Sequence, residues 1–520
     1  MRRILTLGLA AILATGAAAA VTTPAFAGEL EFGACPADVA GTYPELKCAN
    51  LRVPLDYADP LGAQVNVLLS KRASTNPAKR RGVLLVNPGG TTGAGVLHAG
   101  KLTKAEASGY TRLPKEVLDT YDVIGMDARG VGHSEQPSCV GEDYWRTMQP
   151  DPDLPGQRDL SWNRWQAYSK ACGEKNGDRL RHFGTRNVVR DMDRMLTQLG
   201  ERKLSFLGSG YGAYVGTAFG QQYPHRLDRV VFDSSTNPDT KQMWYELGLE
   251  QVRLGEGRQR EYLSWIAKYD NVFHLGKTFD AVNAAWQKML GDFRARPHGQ
   301  DKNVGAAELL DAYVSTQSHG AYWEPLAKAM ADYVLRGDER AVLAWATPTG
   351  GPDVERYIAS LMTVACLDTD WPSDRARIER DFTKASKGTS WGWYNVTIPS
   401  ACANWPAGHE ERIKTTGAGL PPTLLFATDR SAVTPYADSV AMHQRLRGSV
   451  LVTERNSSTT TVTGRPSTFA NPQAERIMKE YLVSGKLPHS DVSVPPHAEP
   501  VPTASAPAAA PPAHLRLHNN

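Results

Sequence analysis

The sequence predicts an α/β fold: a mostly parallel central sheet with helices on both faces, interrupted by a long helical insertion. Three observations point there. Short apolar runs alternate with helix-like segments from residue 83 onward. A glycine-rich strand-to-helix turn occupies residues 204–214. A Trp-rich stretch with no strand-like runs then separates two parts of the alternating pattern.

Taken in order, the chain opens on a targeting segment. Arg2 and Arg3 precede an apolar run over residues 4–20, and Ala25-Phe26-Ala27 places small residues around one bulky position. Residues 1–27 therefore read as a cleaved secretory signal, since the run is Ala-rich and short for a bilayer span. A mature chain that is exported and not membrane-bound is expected. Residues 28–239 read as the first part of the core. In it, Val83-Leu84-Leu85-Val86 is a buried strand ending at Asn87-Pro88-Gly89-Gly90, and Val123-Ile124-Gly125-Met126 is a second strand. Residues 188–199 carry apolar side chains at helical spacing, residues 204–207 form a strand, 213–222 a buried helix, and 229–232 another strand.

Residues 240–412 read as the helical insertion, a lid over a Trp-lined cleft; Trp244, Trp265, Trp286, Trp323, Trp345, Trp371, Trp391, Trp393 and Trp405 fall in it. The core resumes over 413–486 with strands near 423–426 and 449–452 and a helix over 472–482. Residues 487–520 read as a flexible Pro/Ala-rich tail.

Composition sets limits on function. With 520 residues, 41% of them hydrophobic and 22% charged, wholesale disorder and fibrous repeats are excluded. A formal net charge of +3 leaves no electrostatic footprint for nucleic acid. Cys35, Cys48, Cys139, Cys172, Cys366 and Cys402 make an even count in an exported chain, which favours disulfides. Sequence proximity favours Cys35 with Cys48, Cys139 with Cys172 and Cys366 with Cys402, among fifteen possible pairings. There is no CxxC pair and no His at ligand spacing, so no metal is expected. The glycine-rich loop at 89–95 lacks the G-K-[ST] ending of a phosphate loop, and no cofactor is expected.

The stretch Leu204-Ser205-Phe206-Leu207-Gly208-Ser209-Gly210-Tyr211-Gly212 carries most of the chemistry. A strand, then G-x-?-x-G, then a small-residue helix is the setting of the α/β-hydrolase nucleophile elbow, whose middle residue projects into the site. A serine belongs there, and this chain has Gly210. Around that elbow the chain resembles the secreted tripeptidyl aminopeptidases, serine exopeptidases of the α/β-hydrolase fold with a helical lid. The resemblance runs from about residue 35 to 496. It rests on Val53-Pro54-Leu55-Asp56-Tyr57, Asn87-Pro88-Gly89-Gly90, residues 127–134 (DARGVGHS), the elbow, residues 421–436 (PPTLLFATDRSAVTPY) and residues 451–464 (LVTERNSSTTTVTG).

Carried over residue by residue, the resemblance implies a vacant triad. The nucleophile position is Gly210. The acid, which the family places three residues before Thr434-Pro435-Tyr436, falls on Ser431, and the base, four residues before Gly464, on Thr460. Glycine offers no nucleophile, serine no charge to hold an imidazolium, and threonine no proton exchange near neutral pH. The oxyanion donors implied are the loop residues Gly90, Thr91 and Thr92 with Tyr211, although the loop has Thr91-Thr92 where the family has Pro-Gly. The family's lid segment V-E-C-x-D reads Val364-Ala365-Cys366-Leu367-Asp368, so Ala365 lacks the carboxylate expected to meet a substrate's N-terminal ammonium. The family's last cysteine pair falls on Gln473 and Val494.

Two fallback residues stand close by: Ser209 as nucleophile, although its side chain should point away from the site, and Asp233, at the end of the next strand, as acid, although the family has an Asp there beside its usual acid and a structural role is favoured. No replacement base suggests itself among His319, His409, His443, His489, His497, His514 and His518. The expected function is thus a pseudoenzyme holding peptides or a protein in the lidded cleft. The alternatives are an exopeptidase releasing N-terminal tripeptides with non-standard residues, and a purely structural exported protein.

Overall fold

The computed structural model describes residues 30–317, 320–389, 396–459 and 461–503. The expected signal, His319, Thr460, Trp391, Trp393 and residues 504–520 lie outside the described residues.

Nine strands form one sheet: β1 (Lys47–Pro54), β2 (Gln64–Arg72), β3 (Gly82–Asn87), β4 (Tyr121–Met126), β5 (Leu204–Gly210), β6 (Leu227–Ser235), β7 (Thr423–Thr428), β8 (Val450–Glu454) and β9 (Val492–Val494). Their order is β1-β2-β4-β3-β5-β6-β7-β8-β9. β1 and β2 pair antiparallel, as do β2 and β4; every other pairing is parallel. Consecutive side chains leave a strand on opposite faces, which explains why the central strands carry apolar residues at consecutive positions. Val83, Leu85, Phe206, Val230, Phe232 and Leu425 pack with helices Thr185–Gln198, Tyr211–Gln222 and Tyr436–Arg445. Leu84, Val86, Leu207, Val231, Leu424 and Phe426 pack on the other face with helices Gly95–Thr103, Lys115–Thr120 and Pro472–Ser484. Because β3, β5, β6, β7 and β8 run the same way, the loops at their C-terminal ends collect at one edge, where sites form in parallel sheets.

The DARGVGHS block is a brace for that edge. Arg129 is buried and grips Asp191 through Nε (2.7 Å) and Nη2 (2.6 Å), while also donating to the carbonyls of Pro54, Leu55 and His182. Tyr57 adds a bond to Asp191 at 2.7 Å, so the VPLDY and DARG blocks meet in one buried network. Asp127 accepts from the N–H groups of Val96 and His133 (2.9 and 2.8 Å), fixing the helix that begins after the glycine-rich loop.

Between β6 and β7 the described residues hold helices and no strand. Helices Phe279–Ala295, Ala306–Gln317, Trp323–Arg336 and Arg340–Ala346 share an apolar core with the far end of the long helix Met243–Lys268. A second core joins residues 139–183 to helices Pro352–Leu367, Arg375–Ala385 and Thr397–Cys402. Six of the tryptophans correct the expectation of a Trp-lined cleft: Trp265, Trp286, Trp323, Trp345, Trp371 and Trp405 are buried in these cores, whereas Trp244 is partly buried with its ring 5.4 Å from that of Tyr211 beside the elbow. A large apolar ring gains most by leaving water altogether, and residue type alone does not say which face it takes. The disulfides are Cys35–Cys48, Cys139–Cys172 and Cys366–Cys402. Among the described residues no helix is long and apolar enough to cross a membrane.

The stretch read as a flexible tail from residue 487 also needs correction. Val492–Val494 is the ninth strand, parallel to β8, and residues beyond it continue along the molecule. Val492 and Val494 find an open sheet edge to pair with, which a Pro/Ala-rich composition does not reveal.

Candidate active site

The elbow is present in its backbone. β5 turns into helix Tyr211–Gln222 through Gly210, whose φ is +52° and ψ −112°, a combination that L-residues bear only under strain. A Cβ added there would clash with nothing beyond its chain neighbours, Thr434 Oγ1 lying at an ordinary contact distance of 3.8 Å. The turn that displays a nucleophile is therefore built and displays nothing. Its neighbours are glycines for another reason. A Cβ at Gly89 would lie 2.1 Å from the Ser209 carbonyl oxygen, and one at Gly212 would lie 2.9 Å from Asn87 Oδ1. Close backbone contact, not chemistry, fixes those two.

The oxyanion loop lies at the end of β3. Asn87 Oδ1 accepts from the Gly89 N–H at 2.9 Å, and Gly89 and Gly90 take φ values of +80° and +62°. Thr91 and Thr92 are both buried, and Thr91 Oγ1 has no hydrogen-bond partner among the described residues. Tyr211 opens the helix, so its backbone N–H belongs to the uncapped first turn. Its side chain does something else: the hydroxyl donates to Asp368 Oδ2 at 2.7 Å and touches Thr185 Oγ1. Asp368 also accepts from Thr185 N–H (2.8 Å) and Oγ1 (2.5 Å). Burial raises the pKa of Asp368, and these bonds oppose the rise. The last residue of the V-x-C-x-D segment thus ties the insertion to the elbow.

At the acid position, Ser431 is buried and its Oγ accepts from the N–H groups of Val433 (3.3 Å) and Thr434 (3.2 Å). The hydroxyl is committed to its own loop, as short polar side chains in turns often are. Asp429, two residues earlier, accepts from Ser457 N–H at 3.2 Å and joins the loops after β7 and β8.

Asp233 is fully buried and braces the neighbouring loop. Its carboxylate accepts from Val462 N–H at 2.9 and 3.0 Å, and from Thr463 N–H and Oγ1, both at 2.6 Å. Burial pushes its pKa up against those bonds. These bonds all go to the loop after β8, the place of a structural acid.

Thr460 lies outside the described residues, but its flanks are held tightly. Arg465 reaches Thr461 O through Nε (2.6 Å), Thr459 Oγ1 through Nη2 (2.7 Å), and Glu454 through Nη1 (3.0 Å). From the insertion, the buried Arg258 donates to Ser458 Oγ and stands 3.3 Å from Glu261 Oε2; burial lowers its pKa to about 10. Gln251 donates to Val433 O at 2.8 Å, so the same long helix touches the loops of both the acid and the base.

Of the histidines weighed as a base, His489 is exposed and three others are occupied elsewhere. His409 Nδ1 meets Cys366 O at 2.7 Å, His443 Nδ1 meets Ser449 Oγ at 2.7 Å, and His497 Nδ1 meets Glu454 Oε1 at 2.7 Å. Ser209 precedes the elbow opposite Asp233 in the β5–β6 register, and among the described residues no histidine bonds to it. Ala365 is buried beside Cys366, its carbonyl accepting from Trp371 Nε1 at 2.9 Å, so it sits in the insertion's core. Gly210, Thr434, Ser431 and the oxyanion loop come together; Ala365 does not join them. Thr434 and Asp368 are site residues that the sequence does not single out, although the TPY and V-x-C-x-D motifs contain them. No group of three or more His, Cys, Asp or Glu among the described residues is arranged to hold a metal.

Comparison with known proteins places this geometry. The chain is 34% identical over 500 residues to a tripeptidyl aminopeptidase of Streptomyces lividans, covering 94% of this chain and 90% of the relative. The chain belongs to the tripeptidyl aminopeptidase family. The corresponding protein of Streptomyces coelicolor matches with the same identity and coverage. The serine protease Hip1 of Mycobacterium tuberculosis is 26% identical over 469 residues, covering 85% of this chain and 86% of that protein. A family model described as TAP-like protein matches residues 388–494, which take in the loops of the acid and base positions. The fold is the α/β-hydrolase fold of this family, with its elbow emptied at the side chain.

Proposed function

We propose that this member of the tripeptidyl aminopeptidase family is an exported pseudoenzyme that binds peptides, or a peptide-bearing protein, over the elbow. The single observation that carries the reading is Gly210: a backbone turn that an L-residue would hold only under strain, room where a side chain would stand, and no nucleophile. Ser431 supports it, since its hydroxyl serves its own turn and carries no charge to orient an imidazolium. Glycine also holds the turn without the strain a serine would bear there. Three disulfides fit an exported protein.

The test is restoration. Gly210→Ser, Ser431→Asp and Thr460→His are introduced together, and hydrolysis of a tripeptide-anilide is measured beside the native chain. Turnover in the triple variant with none in the native chain is expected. Turnover in the native chain overturns the reading. Calorimetry with the corresponding tripeptide tests the binding half, and no heat of binding removes it.

A second reading is favoured by the names of the relatives, which are peptidases, and by the retained turn and glycine-rich loop. On that reading the chain releases N-terminal tripeptides with Ser209 as nucleophile. Ser209→Ala then abolishes turnover, whereas on the first reading there is none to abolish.

A further inference from the structure

Beyond β9 the chain stays on the molecule and crosses from the sheet to the helical insertion. His497 donates its N–H to Glu454 Oε1 at 3.0 Å, places Nδ1 2.7 Å from the same oxygen, and meets the Phe469 ring edge-on at 6.0 Å. Burial opposes ionisation of Glu454, yet His497 and Arg465 outweigh it and hold its pKa at about 2, so the anchor is charged. Glu499 then pairs with Lys268 at the end of the long helix. The Pro500 carbonyl accepts from Trp265 Nε1 at 2.8 Å. Thr503 donates its N–H and Oγ1 to Glu324 Oε1 (3.0 and 3.1 Å), and its carbonyl accepts from Lys328 Nζ at 2.8 Å.

The far side of this crossing is a module with its own apolar core, built from Tyr262, Trp265, Trp286, Trp323 and the helices around them, distinct from the two cores flanking the sheet. Besides the long helix, it is fastened to the segment near residue 150. There Arg294 holds Asp151 and Asp153 (3.1 and 3.0 Å) and Glu308 accepts from Gln149 N–H at 2.6 Å. The geometry points to residues 495–503 as a strap that holds this module against the sheet, with the long helix Met243–Lys268 as the arm on which it loosens when the strap is released. The module is held along its other sides by its own packing and by the 149–153 contacts, so release loosens it and does not detach it. Glu454 receives both the strap, through His497, and Arg465, which grips the loop around the base position. One buried carboxylate thereby links the fastening of the module to the geometry of the vacant site.

The test is hydrogen exchange on the full chain with strap-side changes only: His497→Ala, Glu499→Ala and Thr503→Pro together, none of which alters a residue of the module. Exchange in helix Trp323–Arg336 and in residues 262–268 is expected to quicken by about tenfold, the size of one or two lost hydrogen bonds, with β3, β5 and β6 unchanged. Unchanged exchange in the module overturns the proposal, as does equal acceleration in the central strands, which would make the segment part of the global fold. A chain ending at Val494 is read by the same two criteria.

Discussion

Replacing Gly210 by alanine separates the two things that make an elbow unusual. The perturbation adds one methyl group at φ +52° and ψ −112°, in space whose nearest occupant beyond the chain neighbours is Thr434 Oγ1 at 3.8 Å. No clash is created, so the expense is conformational, about 1–3 kcal/mol for an L-residue in this region. Stiffening the unfolded chain returns about 0.4–1 kcal/mol, leaving a net loss of about 0.5–2 kcal/mol. Gly89→Ala is the contrast. Its φ is +80°, and its Cβ would stand 2.1 Å from Ser209 O and 2.9 Å from Ser209 C, so backbone must also move. That adds the penalty of overpacking, about 1–3 kcal/mol or more, for a net loss of about 2–5 kcal/mol. Urea unfolding with a shared m-value measures both. A Gly210→Ala loss as large as that of Gly89→Ala, or a gain in stability, refutes the claim that an open elbow, strained only for an L-residue, survives here.

The braces around the site lead to three further expected outcomes. Arg129→Met leaves the buried Asp191 with the Tyr57 hydroxyl, and is expected to cost about 3–5 kcal/mol in urea unfolding; a loss under about 1 kcal/mol contradicts the brace. His133 lies 3.2 Å from Asp127 and 2.9 Å from Asp38; the Asp127 hydrogen bond first, then Asp38, raises its pKa to about 9 despite burial. A raised pKa makes its contribution complete below about 6.5 and lost as pH rises through about 9. The stability gap between the native chain and His133→Ala should therefore shrink from about 1 kcal/mol at low pH toward nothing at high pH, the figure being reduced for solvent screening of a half-buried ring. Glu410 has its pKa raised to about 7 by burial and by the nearby Asp368. A folded-state acid that holds its proton too long loses stability as pH climbs from about 4.5 to 7, so Glu410→Gln is expected to gain about 1–2 kcal/mol on the native chain between about pH 4 and pH 8. A flat difference across that range counts against it.

How much of this was legible depended on what each segment buries. β3 to β8 stood out because strands covered on both faces carry continuous apolar runs, as in Val83-Leu84-Leu85-Val86. β1 and β2 did not, since Lys47, Arg52 and Asn66 interrupt them and an antiparallel flank tolerates such residues. β9 is three residues long and gains its identity from the edge of β8 alone. The strap was hidden for a related reason: much of its bonding uses the carbonyls of Pro500 and Thr503, which composition cannot report. At the site, the emptied position was readable at once because a glycine in an elbow is a change of chemistry. The structural role of Asp233 was readable but its partners were not, because the N–H groups of Val462 and Thr463 reach it from 229 and 230 residues away. The tryptophans mislead because a ring that lines a cleft and one that fills a core look alike in sequence.

The central claim is that the elbow of this tripeptidyl aminopeptidase relative carries no nucleophile. Incubation of the folded chain with a fluorophosphonate, read by intact mass beside the Streptomyces lividans tripeptidyl aminopeptidase, tests it most directly. An unmodified mass is expected for this chain while the control is labelled. A stoichiometric adduct, mapped to Ser209 or to any other serine, would contradict the claim.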